Sequence, residues 1–121
     1  MATEDNCVSI HPYFKAPEDK VAEAKAYCER FVELTKSEPA CLYYGFSFSG
    51  SEVHCREGYV GGEGLLAHLQ NVGPLLEEFL EKLAEVTRLE VHGPAAELEK
   101  LKEPLAALSP QYFELEYGIR N

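Results

Sequence analysis

The chain has 121 residues, 45% hydrophobic and 26% charged, which suits one domain built on one core. Its formal net charge of −10 argues against nucleic acid, anionic membranes and polyphosphates as partners, because each calls for a basic footprint. No apolar run approaches the roughly 20 residues that span a bilayer, and the opening MATEDNC is acidic and polar, unlike a secretory or transit peptide. The expectation is a cytoplasmic protein with neither a nucleic-acid nor a membrane partner. Cysteines stand at 7, 28, 41 and 55 with no CxxC spacing, and are read as reduced, buried small hydrophobes.

The first element is CVSIHPYF, residues 7–14, where Val8 and Ile10 alternate with Ser9 and His11 as in a strand. Pro12 places a strand end or a sheet edge there. A helix follows from Pro17, with Glu18 and Asp19 at the positive end of its dipole. Its apolar stripe is Val21, Ala24, Cys28, Phe31 and Thr35, and Pro39 stops it by Glu38.

ACLYYGFSF and EVHCREGYV are two strand-like runs joined through Ser49, Gly50 and Ser51. A two-residue Gly50-Ser51 loop sets Ser49 opposite Glu52, Phe48 opposite Val53, Phe46 opposite Cys55 and Tyr44 opposite Glu57. One face of the hairpin then reads Leu42, Tyr44, Phe46, Phe48, Val53, Cys55, Glu57 and Tyr59. Only a glutamate and two phenols interrupt its apolar character.

EGLLAHLQNV is helical, Gly73-Pro74 is expected to interrupt it, and LLEEFLEKLAEV resumes it. The stripe runs through Leu65, Leu69, Val72, Leu76, Phe79, Leu80 and Leu83, and His68 belongs to that stripe or its edge. VTRLEVHG, residues 86–93, alternates again; PAAELEKLKEPLAAL is a short helix with a proline break; YFELEYGI, residues 112–119, is a last strand with Phe113, Leu115, Tyr117 and Ile119 on one side.

The order β-α-β-β-α-β, followed by a helix and a strand, predicts an α+β domain with a ferredoxin-like antiparallel sheet and helices on one face. The other face carries Ser9, His11, His54, Arg56, Arg88, Glu90 and His92. That mixture fits a second sheet from an identical chain better than open solvent.

ACLYYGF, REGY and AHL resemble the antibiotic-biosynthesis-monooxygenase-like family of dimeric α/β barrels. In that family a tyrosine lies on the second strand, a glutamate two residues before an aromatic on the third, and a histidine nine residues after the aromatic. Here these are Tyr44, Glu57, Tyr59 and His68. The resemblance covers about residues 7–93, with the helix and strand of 94–119 as the tail of a separate branch within one domain, 1–121. It implies a homodimer, a pocket between sheet and helices, and in some members oxidation of phenolic or quinol compounds by molecular oxygen with no metal or organic cofactor. Heme-degrading members use an asparagine, a tryptophan and a histidine. This chain has no tryptophan, has His68 at the tryptophan position and has Glu78 at the histidine position, which argues against that route.

Cofactor-free oxygenation requires removal of a phenolic proton and a dry place for the anion. His68 suits the proton acceptor, Glu57 its orienter, and Tyr44 and Tyr59 the contacts to a small aromatic ligand. A bland reading stands beside this one. A buried Glu57 needs a partner, and His68 satisfies it with no catalysis at all. His11, His54 and His92 raise a third reading, a transition-metal site, against which Arg56 and Arg88 on the same face repel a cation. The sequence thus points to a small-molecule-binding dimer that is either a cofactor-independent monooxygenase, with neither a metal nor a cofactor, or a non-catalytic ligand-binding or stress-response dimer.

Overall fold

The computed structural model describes residues 4–121. Strand β1, Cys7–Lys15, leads through a short 3-10 turn, Glu18–Lys20, into helix α1, Val21–Thr35. Strands β2, Cys41–Ser49, and β3, Glu52–Val60, form a hairpin; helix α2, Gly61–Lys82, and strand β4, Glu85–Gly93, follow. Helix α3, Ala95–Lys102, a 3-10 turn at Ala106–Leu108 and strand β5, Gln111–Glu114, complete the chain. The sheet order is β2-β3-β1-β4-β5. Its first four strands are antiparallel in the ferredoxin-like order, and β5 is added parallel to β4 within the same chain. No helix among the described residues is long and apolar enough to cross a membrane.

The hairpin register is the expected one: Ser49 faces Glu52, Phe48 faces Val53, Phe46 faces Cys55 and Tyr44 faces Glu57. Gly50 turns the chain at φ +58°, a conformation that glycine adopts without a Cβ clash. The register slips between Cys41 and Tyr43, however, and Leu42 becomes the extra residue. It is therefore 43% exposed rather than on the apolar face.

Three other expectations are corrected. Pro12 marks neither a strand end nor an edge, because β1 is central, between β3 and β4. The ladder to β3 skips from Ile10–Glu57 to Tyr13–His54 around the proline, which has no N–H to give, and the His54 side chain meets the Pro12 carbonyl, with Nδ1 3.1 Å from its oxygen. Helix α2 is continuous through Pro74. The acceptor that Pro74 leaves without an N–H belongs to Gln70, and both residues are exposed, so water can take its place while Val72, Leu75 and Phe79 stay buried on the opposite side. The last strand stops at Glu114. Its partner β4 ends opposite, at Gly93, and Pro94 starts α3, so Tyr117 and Ile119 have nothing to pair with and are 80% and 87% exposed.

Helices cover one sheet face. One core cluster joins Phe14, Phe31, Val72 and Phe79; another joins Val8, Tyr59, Leu65, Leu98 and Leu101. The ring of His68 touches both sides of their junction, 5.1 Å from Tyr44 and 4.9 Å from Tyr59 between centroids. Cys28 and Cys55 are buried and Cys7 and Cys41 partly buried, all four as free thiols. Burial pushes the Cys28 thiol up to about 12.

Candidate active site

Alternation along β3 sends Val53, Cys55, Glu57 and Tyr59 to the helical side. Gly64 in the first turns of α2 lets the helix lie close over this strand: a Cβ there would sit 3.0 Å from the Ala40 Cβ and 3.1 Å from the Tyr59 Cβ. One helical turn later, His68 is brought down onto Glu57. The four residues singled out from the sequence thus meet in one place. Glu57 and His68 are 5% and 2% exposed, Tyr59 is fully buried, and Tyr44 is partly buried.

The contacts among them form a chain. The Tyr59 hydroxyl donates to Glu57 Oε1 at 2.6 Å. His68 Nε2 lies 3.2 Å from the same oxygen. The other imidazole nitrogen, Nδ1, is 2.9 and 3.0 Å from the two carboxylate oxygens of Glu38, and Asn71 Nδ2 donates to Glu38 Oε2 at 2.8 Å. Glu38 and Asn71 were missed in the sequence. Asn71 stands three residues beyond His68, on the same helical face, and was legible by spacing. Glu38 lies in the loop before Pro39, where no periodicity places a side chain. Glu38 thus faces one imidazole nitrogen and Glu57 the other.

Burial pushes the Glu57 carboxyl up to about 7 against the lowering effect of its hydrogen bonds from Tyr59 and Cys55, with the Glu38 charge adding to the rise. Burial also lowers the His68 pKa, and the hydrogen bond to the Glu38 carboxylate and its charge oppose this. Desolvation raises the phenols of Tyr44 and Tyr59 far above the usual range, so both act as neutral hydrogen-bonding groups.

A cavity of about 70 Å³ adjoins the pair. Glu57, His68 and Tyr44 supply polar groups along walls made largely of Phe31, Phe46, Leu69, Val72, Leu76 and Leu89. Leu108, half exposed on the 3-10 turn before β5, also lines the space. Such an enclosure suits a mostly apolar molecule with one polar end.

On the opposite sheet face the three other histidines do come together. The His11 ring is 5.9 Å from that of His54 and 4.8 Å from that of His92. One nitrogen of each ring is turned to another partner: His11 Nε2 to Ser9 Oγ at 2.8 Å, His54 Nδ1 to the Pro12 carbonyl, and His92 Nε2 to Glu90 at 3.3 Å. Among the described residues no group of three or more His, Cys, Asp or Glu side chains is arranged to hold a metal ion.

No protein-family model matches the sequence, and no curated protein does. Among solved structures, MupZ from Pseudomonas fluorescens is 47% identical, superposes with a TM-score of 0.94, and is matched over 100% of this chain and 94% of its own. The chain belongs to the MupZ family. The match to MupZ takes in the C-terminal helix and strand as well as the ferredoxin-like core. More distant structures share the fold alone. Rv0793 from Mycobacterium tuberculosis is 21% identical with a TM-score of 0.63, over 73% of this chain and 94% of that one. A candidate antibiotic biosynthesis monooxygenase from Chloroflexus aurantiacus is 17% identical with a TM-score of 0.60, over 74% and 93%.

Proposed function

We propose that this MupZ-family chain is a homodimeric small-molecule-binding protein of the antibiotic-biosynthesis-monooxygenase-like type, and that it is a cofactor-independent monooxygenase of aromatic or quinol-type compounds. The observation that carries the catalytic reading is Glu57: a carboxyl group poised at about 7, buried beside an apolar cavity and in contact with a histidine. Above neutral pH the Glu57–His68 pair can take a proton from a bound phenol. A phenol titrates near 10, so the transfer is uphill by roughly 4 kcal/mol. That is small beside the roughly 17 kcal/mol barrier of a reaction that turns over once a second. Tyr44 and Tyr59 keep their protons and so do not compete for the role. The resulting anion, held out of water, is the electron-rich species that molecular oxygen can oxidise.

The homodimer would form through the uncovered sheet face. In a chain of net charge −10, that face carries Arg56, Arg88 and three histidines against Glu90 as the carboxylate within their reach. Two copies meeting there bring together the least acidic part of each.

A second reading is favoured by the size of the cavity. The cavity is about half the size of the engineered cavity of about 150 Å³ that admits benzene. An aromatic ligand therefore requires lining side chains to move outward; if they do not, the pocket holds only a small fragment and the protein is a non-catalytic binder. Oxygen consumption with a panel of quinols and anthrone-like phenols separates the two. Uptake by the parent that is lost in a folded His68→Ala protein supports the oxygenase. Absence of uptake across the panel, with saturable binding of any member, leaves the binding module.

A further inference from the structure

His68 sits between two carboxylates, and this limits what it can do. Nδ1 faces Glu38 and Nε2 faces Glu57, so neither ring nitrogen is open to a ligand. Glu38 already accepts from Asn71, which leaves the imidazole as the donor in the contact with Glu38 and fixes an N–H on Nδ1. A neutral ring has no second N–H. The lone pair on Nε2 would then face a carboxylate oxygen at 3.2 Å, a repulsive contact unless one more proton lies there, on Nε2 or on Glu57.

We propose that Glu38, braced by Asn71, is a positioning residue that pins one proton on His68 Nδ1, so that the exchangeable proton of the site lies in the Glu57–His68 contact and reaches the cavity through Glu57 rather than His68. Glu57 and His68 both line the cavity and Glu38 does not, but both His68 nitrogens face carboxylates, so Glu57 is the group of the pair with an oxygen to offer a ligand. The raised Glu57 and the lowered His68 agree with a second proton that resides mainly on the carboxyl. In the transfer, the O–H bond of Glu57 breaks as a bond from that proton to the ligand oxygen forms; the carboxylate left behind is held by Tyr59. In the reverse direction the ligand O–H breaks and Glu57 is protonated. No oxidant is needed for this step. The inference rests on the proton-transfer reading above and assigns its parts.

The test is nitrogen NMR of the imidazoles in the uniformly ¹⁵N-labelled full chain between pH 5 and 9, with His68→Gln used to assign the ring. The expected result is a protonated Nδ1 on His68 throughout, with a titration near neutral pH that appears at Nε2 and is displaced in Glu57→Gln. Folded Glu38→Gln should move that midpoint down, because the Glu38 charge opposes ionisation of Glu57. A neutral His68 bearing its proton on Nε2 in the parent overturns the proposal without any variant being made. An unmoved midpoint in folded Glu38→Gln also overturns it. The spectra require no substrate. A correct tautomer without oxygen uptake would therefore remove the oxygenase reading and leave this one intact, and the reverse outcome would do the opposite.

Discussion

Each face of this sheet sets a histidine beside a glutamate, and the two pairs behave differently because only one face is covered. Beneath α2, the His68 side chain is 3% exposed between carboxylates at 2.9 and 3.2 Å. On the open face, His92 is 3.3 Å from Glu90 with its side chain 39% exposed, and Arg88 shares the same carboxylate. Water screens the second arrangement and leaves it worth at most about 1 kcal/mol. Excluding water from the first makes each proton there a matter of several kcal/mol. Similar chemical groups become a proton-transfer site on one side and a solvated network on the other.

The largest test of that contrast is His68→Ala. It leaves two buried carboxylates facing an empty site, and a loss of about 3–5 kcal/mol is expected in urea unfolding at pH 8. On the open face, His54→Ala removes the hydrogen bond to Pro12 and should cost about 1 kcal/mol. Equal losses would mean that the cover provided by α2 makes no difference.

Next comes the pH dependence of Glu57→Gln. The Glu57 pKa rises from an ordinary 4.5 to about 7 on folding, so the folded chain binds the extra proton between those values. Stability from this group is therefore present below 4.5 and is lost as pH rises to about 7. Between pH 5 and pH 8 the stability difference should move in favour of the glutamine variant by roughly 3 kcal/mol. Unfolding curves of both proteins at the two pH values check it; a constant difference would show that Glu57 is no more perturbed than a surface carboxylate.

On the open face, the proposed dimer should weaken as His11 charges. Burial, and then the neighbouring His92 and His54, lower His11, while Glu90 opposes this. Arg56 and Arg88 lie on the same face and add positive charge. A depressed imidazole favours the folded, uncharged state above its ordinary 6.5, and that preference is lost as pH falls. Sedimentation at pH 7.5 and 5.5 should show dissociation strengthened about tenfold at the lower pH. General acidification reduces the −10 charge and would push the other way. The smallest effect is that of Asn71→Ala, a loss of about 1 kcal/mol for the brace on Glu38, read from the same unfolding curves.

Much of this molecule follows from local pattern. Alternation fixed the faces of β3, the Gly50-Ser51 turn fixed the register that sets Tyr44 opposite Glu57, and helical spacing put His68 on the inner side of α2. These are short-range rules, and the residues that obey them were readable one after another. What the tertiary structure decided depends on contacts between distant segments. Glu38 is thirty positions from His68, and only the packing of α1 and its following loop against α2 brings the two together. Pro12 sits in a central strand, its carbonyl met by the His54 side chain from β3, and Pro74 stays within α2 because the apolar side of that helix is buried while its proline faces water. Sequence alone determined which residues could share a face. Burial, which no stretch of chain can know by itself, decided which of them carry a proton.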